Sequence, residues 1–271
     1  MRAQSASIFY DAKICSNYIM DKYPDFKLND KIIPLPNIDK DSWHEKWYDG
    51  RNLADLIHPF KIVCCSPPNA GKTTAIMNIF MRCQLGKAPF ETLIVIQPDT
   101  SHEYDQLDPT LIITDIPSPE DIVLSKEDMK KTAVIIDDFE MSRLNKVQIS
   151  NLSKLFRYLS SHNNISIFCG YQSFFDVPTI VRKCSTHFLI WRTRNTDELT
   201  IIAKRVGLPK EVMHEIFKRE MKDRRDSLMI DLVSPDQFFI RKNIFEVLDI
   251  ENYKPLKLAK RQSKYQEEDE Q

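Results

Sequence analysis

One stretch decides the fold of this chain: Cys65-Ser66-Pro67-Pro68-Asn69-Ala70-Gly71-Lys72-Thr73-Thr74. The short apolar run Ile62–Cys65 precedes it and is cut off by Pro67-Pro68, which is how a buried strand of a parallel sheet ends. After the stretch, Ile76, Ile79 and Phe80 recur at the spacing of one helical face. The sequence therefore predicts a strand, a tight loop and a helix in succession.

A loop of this kind binds phosphate when it follows the pattern G-x-x-x-x-G-K-[ST]. Its backbone N–H groups and the helix N-terminus surround the phosphates, the Lys reaches the β- and γ-phosphates, and the Ser/Thr hydroxyl holds Mg²⁺. Here Lys72 and Thr73 take the last two roles. The predicted nucleotide-binding residues, for a cofactor pair of ATP and Mg²⁺, are Ser66, Pro67, Pro68, Asn69, Ala70, Gly71, Lys72, Thr73 and Thr74.

The loop departs from that pattern at one position, because Ser66 stands where the first Gly is expected. A small residue is tolerated there only if the backbone needs no positive φ. The two prolines that follow already restrict the loop. Gly71-Lys72-Thr73 keeps the half of the loop that contacts phosphate.

The composition describes one large domain with extensions: 271 residues, 42% hydrophobic, 28% charged, and a formal net charge of -1. This charge gives no global attraction to nucleic acid, so DNA contact requires a local basic surface in an assembly. The charge balance argues against a compact monomeric DNA binder. The six cysteines show no paired C-x-x-C spacing, which predicts reduced, intracellular thiols. No apolar run approaches membrane-spanning length, so we expect no membrane segment.

A second motif is Thr132-Ala133-Val134-Ile135-Ile136-Asp137-Asp138-Phe139-Glu140. Its apolar residues predict a buried parallel strand, and its acids fall at the carboxyl end, where open α/β sheets bind ligands. This is typical of a Walker B strand. We expect Asp137 to bind Mg²⁺ and Asp138 to orient or deprotonate the attacking water, with Glu140 as the rival base.

The rest of the chain alternates strands and helices. A helix is predicted over Asn145–Ser161, a buried strand over Ile165–Gln172, and a hairpin at a sheet edge from Ser227–Leu232 and Phe238–Arg241. Gln172, at the tip of the strand beside Walker B, is placed to sense the γ-phosphate or position water. The predicted fold class is α/β, a P-loop NTPase of ASCE type, RecA-like, with a central, mostly parallel sheet flanked by helices.

The predicted domain organisation has three parts. Residues 1–50 form an N-terminal extension in which Trp43 and Trp47 recur at helical spacing, either as a docking face or packed on their own core. Residues 51–253 form the ATPase domain, and 254–271 form a charged, disordered tail.

Taken together, Gly71-Lys72-Thr73, Asp137-Asp138 and the run from Phe156 to Gln172 resemble viral genome-packaging ATPases of the FtsK–HerA superfamily, in particular those of poxvirus-like viruses, virophages and polinton-like elements. The resemblance covers about Phe60 to Arg241. It implies a homo-oligomeric ring, a pentamer or hexamer, that moves double-stranded DNA by ATP hydrolysis at subunit interfaces. It also implies backbone contacts to DNA, a capsid or capsid-vertex partner, and a location in the host cytoplasm, viral factory or virion.

The same resemblance implies an arginine from a neighbouring subunit that neutralises charge on the γ-phosphoryl group. Arg157 is the first choice because it lies near the end of the helix before the Gln172 strand. Arg143, Arg182 and Arg192 are its rivals, and contact with solvent or DNA is the alternative role for each.

Basic residues also cluster between Lys218 and Arg225, where they are either a DNA-facing surface or, because acids are interspersed, a solvated face. Two other functions remain open: a P-loop kinase, for which Arg224-Arg225 would serve as a lid, and a nucleotide-binding scaffold that does not hydrolyse ATP. The Gln172 strand favours the motor over the kinase, and Asp138 with Gln172 favours hydrolysis.

Overall fold

A computed structural model describes residues 52–85, 88–98, 103–122, 130–137, 139, 143–234 and 239–254. All of them belong to one compact unit, Trp47–Gln271. The predicted N-terminal extension with Trp43 and Trp47, residues 255–271 of the predicted tail, and the candidate bases Asp138 and Glu140 lie outside the described residues. No helix in the described part of the chain is long and apolar enough to cross a membrane.

The described residues form a nine-stranded sheet in the order β3-β2-β4-β5-β1-β6-β7-β8-β9. The strands are β1 (Lys61–Cys65), β2 (Thr92–Ile96), β3 (Leu111–Ile113), β4 (Thr132–Ile136), β5 (Ile165–Tyr171), β6 (His187–Trp191), β7 (Ser227–Asp231), β8 (Ile240–Lys242) and β9 (Glu246–Val247). The helices are α1 (Lys72–Gln84), α2 (Pro119–Ile122), α3 (Lys146–Lys154), α4 (Ser160–His162), α5 (Thr179–Cys184), α6 (Thr196–Val206) and α7 (Lys210–Glu220).

The sheet is parallel from β3 to β6 and antiparallel from β6 to β9. The mostly parallel sheet is therefore confirmed. β5 lies between β1 and β4, so one strand separates the phosphate loop from the Walker B strand. The predicted C-terminal hairpin is present as β7 and β8, but β9 pairs beside it and forms the edge of the sheet.

Both faces of the sheet are buried, as the apolar strands predict. Successive residues of β1 point to opposite faces, because Val63 and Cys65 join one apolar cluster while Ile62 and Cys64 join the other. α1 packs on the second face through Ile76, Ile79 and Phe80. The helices α3, α5, α6 and α7 pack on the first face. The result is a three-layer α/β domain.

The helix predicted over Asn145–Ser161 is present, but it is not uniform. Asn145 caps α3 and Gln148 completes a capping box, so the start of the helix is specified by local sequence. The helix then passes through a π-helical segment, Leu155–Leu159, before α4. Arg157 lies in that segment, a kind of irregularity that is frequent at functional sites.

A buried histidine ties the residues before β1 to the sheet. His58 Nδ1 lies 2.6 Å from Ser166 Oγ, and its Nε2 lies 2.5 Å from Asn164 Oδ1. Ser166 Oγ also accepts a hydrogen bond from the Phe60 N–H. Burial, with a smaller contribution from the charge of Lys131, lowers the pKa of His58 from 6.5 to about 3. The folded protein therefore keeps this imidazole neutral.

We expect His58 to make the folded state sensitive to acid. The unfolded chain binds a proton at His58 below pH 6.5 and the folded chain does not, so the stability that neutral His58 provides is complete above pH 6.5 and is lost as the pH falls toward 3. Between pH 6.5 and pH 5 the loss attributable to His58 should be about 2 kcal/mol. Urea unfolding at both pH values, for wild type and His58→Gln, measures this difference.

The matched control is His162→Gln, because His162 is exposed on α4. It should keep the pH dependence of the wild type. Equal pH dependence in wild type and His58→Gln would contradict the prediction.

Candidate active site

The phosphate loop between β1 and α1 has the backbone that its residues predict. Positive φ angles occur at Asn69, 59°, and Gly71, 99°, and not at Ser66. Ser66 is buried, and its N–H donates to the carbonyl of Tyr171 in β5 over 3.1 Å. The condition for a residue other than Gly at this position is therefore met.

Lys72 and Asp137 meet directly beneath this loop. Lys72 Nζ donates to Asp137 Oδ1 over 2.5 Å, and both residues are buried, with 8% and 2% of their surface exposed. Thr73 Oγ1 lies 3.4 Å from Asp137 Oδ2. The two sequence motifs, separated by 65 residues, thus form one polar centre at the carboxyl end of the parallel strands.

Gly170 makes room for this centre. It pairs with Cys64 of β1, and its neighbour Cys169 pairs with Ile136, the last residue of the Walker B strand. A Cβ atom at position 170 would lie 1.9 Å from Asp137 Oδ1, 2.9 Å from Asp137 Cγ and 3.1 Å from Lys72 Cδ. The Lys72–Asp137 contact therefore requires a glycine in the strand between them.

Tyr104 is a third side chain at Asp137, and no sequence pattern predicts its presence there. Its hydroxyl donates to Asp137 Oδ2 over 2.6 Å, and only 2% of the residue is exposed. Burial and the negative charge of Asp137 raise the pKa of this phenol well above its usual value, so it remains a hydrogen-bond donor. No motif surrounds Tyr104 in the sequence.

A cavity of about 990 Å³ opens above this centre. All nine predicted nucleotide-binding residues, Ser66 to Thr74, line it, as does Gln172, which is exposed at the end of β5. The cavity is also lined by residues outside the predicted nucleotide-binding set, among them Glu103, Gln106, Trp191, Arg225, Asn243 and Ile244.

Two arginines of the predicted basic cluster lie at this site rather than on a remote surface. Arg224 Nη2 donates to the carbonyl of Pro68 in the phosphate loop over 2.5 Å, and Arg225 lines the cavity. By contrast, Arg219 pairs with Glu215 one helical turn away, as expected for a solvated face. The contact between Arg224 and Pro68 joins residues 156 positions apart, which local sequence does not reveal.

The candidate arginine finger and its rivals differ in position. Arg157 is exposed and does not line the cavity of its own chain among the described residues. Arg182 stacks over Phe174, and Arg192 donates to the carbonyl of Lys222. Arg143 is exposed just before α3. The roles of these arginines remain predictions, as do those of Asp138 and Glu140.

The oxygen donors at the site fit Mg²⁺. Magnesium binds hard oxygen ligands, commonly one or two carboxylates with hydroxyl, water and phosphate oxygens. The Asp137 carboxylate and the Thr73 hydroxyl supply such donors side by side, at the end of a helix whose N-terminus favours phosphate. Thr73 and Asp137 are the residues that would hold the ion, and this role stays a prediction.

Comparison with known proteins finds similarity in structure. No protein-family profile matches the chain, and no curated protein sequence matches it. The genome-packaging NTPase B204 of Sulfolobus turreted icosahedral virus 2, solved with ATP-gammaS, covers 68% of this chain and 96% of its own, with 17% identity and a TM-score of 0.50. The DNA-packaging ATPase B204 of Sulfolobus turreted icosahedral virus covers 68% and 97%, with 14% identity and a TM-score of 0.50.

A conjugation protein is similar over more of the chain. The coupling protein TcpA of pCW3, in its monomer form with ATPgS, covers 82% of this chain and 73% of its own, with 13% identity and a TM-score of 0.52. The fold is therefore that of a P-loop NTPase. Its structural neighbours are viral packaging NTPases and a coupling protein, which confirms the fold that the sequence resemblance implied.

Gly170→Ala should disable nucleotide binding. Its Cβ would overlap Asp137, so the carboxylate must move away from Lys72 and Thr73. We expect a loss of about 1 to 3 kcal/mol of stability from overpacking. We also expect the variant to lose most of the rise in melting temperature that Mg²⁺ and ATP give the wild type, which a thermal shift assay measures.

Gly207→Ala is the matched control. Gly207 has a φ of 78° and nothing within 4 Å of an added Cβ, so this substitution costs backbone strain at a residue that does not line the cavity. It should lower stability by about 1 kcal/mol and leave the nucleotide effect unchanged. A Gly170→Ala variant that nucleotide stabilises as strongly as the wild type would show that the contact tolerates a side chain there.

Proposed function

We propose that this protein is an ATP-driven motor that moves double-stranded DNA and packages a viral genome into a preformed capsid. The observation that carries the proposal is the polar centre in which Lys72 and Asp137 meet beneath the phosphate loop. The strand between them is followed directly by Gln172, a polar amide that lines the same cavity. The fold shared with packaging NTPases supports the hypothesis that the protein is a DNA motor.

Each residue of the centre has a chemical task in ATP hydrolysis. The loop N–H groups and Lys72 bind the phosphates, and Thr73 and Asp137 hold the metal ion. When bound, Mg²⁺ would neutralise the negative charge that develops on the phosphates in phosphoryl transfer. Gln172 senses the γ-phosphate or positions the water, and Asp138 accepts the proton of that water, with Glu140 as the rival base.

The charge on the transferring phosphoryl group needs a further cation. Arg157 is exposed on its own chain, away from its own cavity, which supports a role at the site of a neighbouring subunit. We infer a homo-oligomeric ring, a pentamer or hexamer, with ATP bound at the interfaces between subunits. Hydrolysis at successive interfaces around the ring would couple each ATP to a step along DNA.

The DNA contacts should be to the phosphate backbone, because a packaging motor moves along any sequence. The formal net charge of -1 requires that the positive surface facing DNA be local. We further propose that the ring docks on a capsid or capsid-vertex protein, in the host cytoplasm or viral factory, and stays with some virions.

The first test is steady-state ATP hydrolysis with and without long double-stranded DNA. DNA should stimulate ATP turnover by the wild type, because movement along DNA is coupled to the hydrolysis cycle of a motor. Lys72→Ala should lower turnover about 100-fold through loss of a phosphate contact. Gln172→Ala and Asp138→Asn should abolish stimulation while nucleotide binding is retained, because neither residue holds the phosphates in the ground state.

Lys210→Ala is the control, because Lys210 is exposed at the start of α7. It should behave as the wild type. Hydrolysis that DNA does not affect would favour the kinase, and phosphate transfer to a nucleoside or metabolite would establish it. Nucleotide binding without hydrolysis, with or without DNA, would instead establish the scaffold.

The position of Arg157 is tested by mixing two inactive variants. Arg157→Ala lacks the arginine but has an intact phosphate loop, and Lys72→Ala has the reverse defect. In a mixed ring some interfaces combine the intact loop of one subunit with the arginine of its neighbour. We therefore expect the mixture to regain hydrolysis that neither variant shows alone.

A mixture of Arg157→Ala with Gln172→Ala should regain activity in the same way, whereas Lys72→Ala mixed with Gln172→Ala should not. The last pair places both defects on the same side of the interface and serves as the control. No recovery in the Arg157 mixtures, in rings of confirmed mixed composition, would assign the arginine to another residue.

A further inference from the structure

We propose that Tyr104 is a positioning residue, which holds the carboxylate of Asp137 in the orientation that binds the magnesium ion of the nucleotide. This inference rests on the proposed ATP-dependent function and adds a residue to it. The sequence motifs assign Mg²⁺ to Thr73 and Asp137 and say nothing of Tyr104.

The carboxylate of Asp137 is held from both sides. Lys72 Nζ donates to Oδ1 over 2.5 Å, and Tyr104 OH donates to Oδ2 over 2.6 Å. Oδ2 is also the oxygen nearest the Thr73 hydroxyl, at 3.4 Å. Tyr104 therefore contacts the same oxygen that lies beside the other predicted metal ligand.

The ring of Tyr104 is anchored independently of the site. It is part of the apolar cluster on the α1 face of the sheet, and only 2% of the residue is exposed. A short 3-10 turn, Asp105–Leu107, follows it, and the Leu107 N–H donates to the Tyr104 carbonyl over 3.0 Å. Its neighbours Glu103 and Gln106 line the cavity. The ring is thus held by the core while its hydroxyl faces the polar centre.

A fixed donor matters here because the terminal torsion of an aspartate is soft. A carboxylate at the end of a strand can rotate unless hydrogen bonds hold its oxygens. Magnesium demands near-ideal octahedral geometry, so the orientation of a ligand carboxylate affects affinity. Partners that hydrogen-bond to metal ligands commonly change metal affinity or activity by 10- to 100-fold when they are removed.

The test is the magnesium dependence of nucleotide binding, measured with a fluorescent ATP analogue on the full chain. Binding is recorded first in EDTA and then as Mg²⁺ is added. Tyr104→Phe keeps the ring and removes the hydroxyl. For this variant, the Mg²⁺ concentration that gives half of the magnesium-dependent increase in nucleotide binding should rise about tenfold or more. Binding in EDTA should be unchanged, because the phosphate loop is intact.

The chain offers a closely matched control in Tyr253→Phe. Tyr253 OH donates to a carboxylate oxygen of Glu220 over 2.7 Å, away from the residues that line the cavity. The same atom is removed from the same kind of hydrogen bond, so a general effect of losing such a bond would appear in both variants. Tyr253→Phe should keep the magnesium dependence of the wild type.

A Tyr104→Phe variant with the magnesium dependence of the wild type would overturn the inference and leave the proposed function standing. A wild-type protein that binds no nucleotide, in EDTA or with Mg²⁺, would overturn both.

A second measurement keeps the hydroxyl and serves if Tyr104→Phe does not fold. With 3-fluorotyrosine placed at position 104 alone, the ¹⁹F resonance should shift when Mg²⁺ is added to the nucleotide-bound protein. A resonance that responds to nucleotide in EDTA but not to Mg²⁺ would count against the inference.

Discussion

The lysine of the phosphate loop reaches the acid of the Walker B strand only because the strand between them carries no side chain at Gly170. The sheet order places β5 between β1 and β4, so any side chain on that face of β5 at position 170 would stand between the two motifs. Strand order alone would keep the motifs apart, and the glycine brings them into contact. Gln172 lies two residues after Gly170, directly after β5, so the same strand also brings this amide to the cavity.

The antiparallel half of the sheet is fixed to the rest by buried charge. Arg241 in β8 is 1% exposed and pairs with Asp55, before β1, at 2.5 Å and with Asp231, in β7, at 3.0 Å. A buried ion pair adds little net stability, but removing one partner leaves a buried charge uncompensated. This network therefore fixes where β7 and β8 lie, and with them the loop that brings Arg224 to Pro68 and Arg225 to the cavity.

The parts of the fold and the site that could be predicted are those whose sequence pattern lies within a few neighbouring residues. Gly71-Lys72-Thr73, the apolar run before Asp137 and the strand ending at Gln172 each carry their pattern within a few residues. Tyr104 and Arg224 do not, because a buried tyrosine and an exposed arginine look the same in sequence whether or not they reach a site. Their contacts span 33 and 156 residues and depend on how the whole sheet is assembled.

The helix before β5 shows the same limit on a smaller scale. The apolar residues of this helix that recur at helical spacing are Val147, Leu152, Leu155, Phe156 and Leu159. The last four are buried as that spacing predicts, whereas Val147, in the first turn, is exposed. The widening to π-helical geometry over Leu155–Leu159 leaves this spacing nearly intact, so periodicity does not reveal it. Gly170 is a further case: a glycine in a strand indicates a close approach of some kind, but not of which groups.

The buried cysteines around the phosphate loop make local opening of the sheet measurable by thiol alkylation. Cys64 and Cys65 end β1, Cys169 lies beside them in β5, and Cys83 is buried in α1. Burial raises the pKa of each of these thiols, to about 12 for Cys83 and Cys169, so little thiolate forms and alkylating reagents are excluded. Modification of Cys64, Cys65 and Cys169 therefore requires β1 and β5 to open, and the rate of alkylation at these residues measures how often the strands beneath the phosphate loop separate.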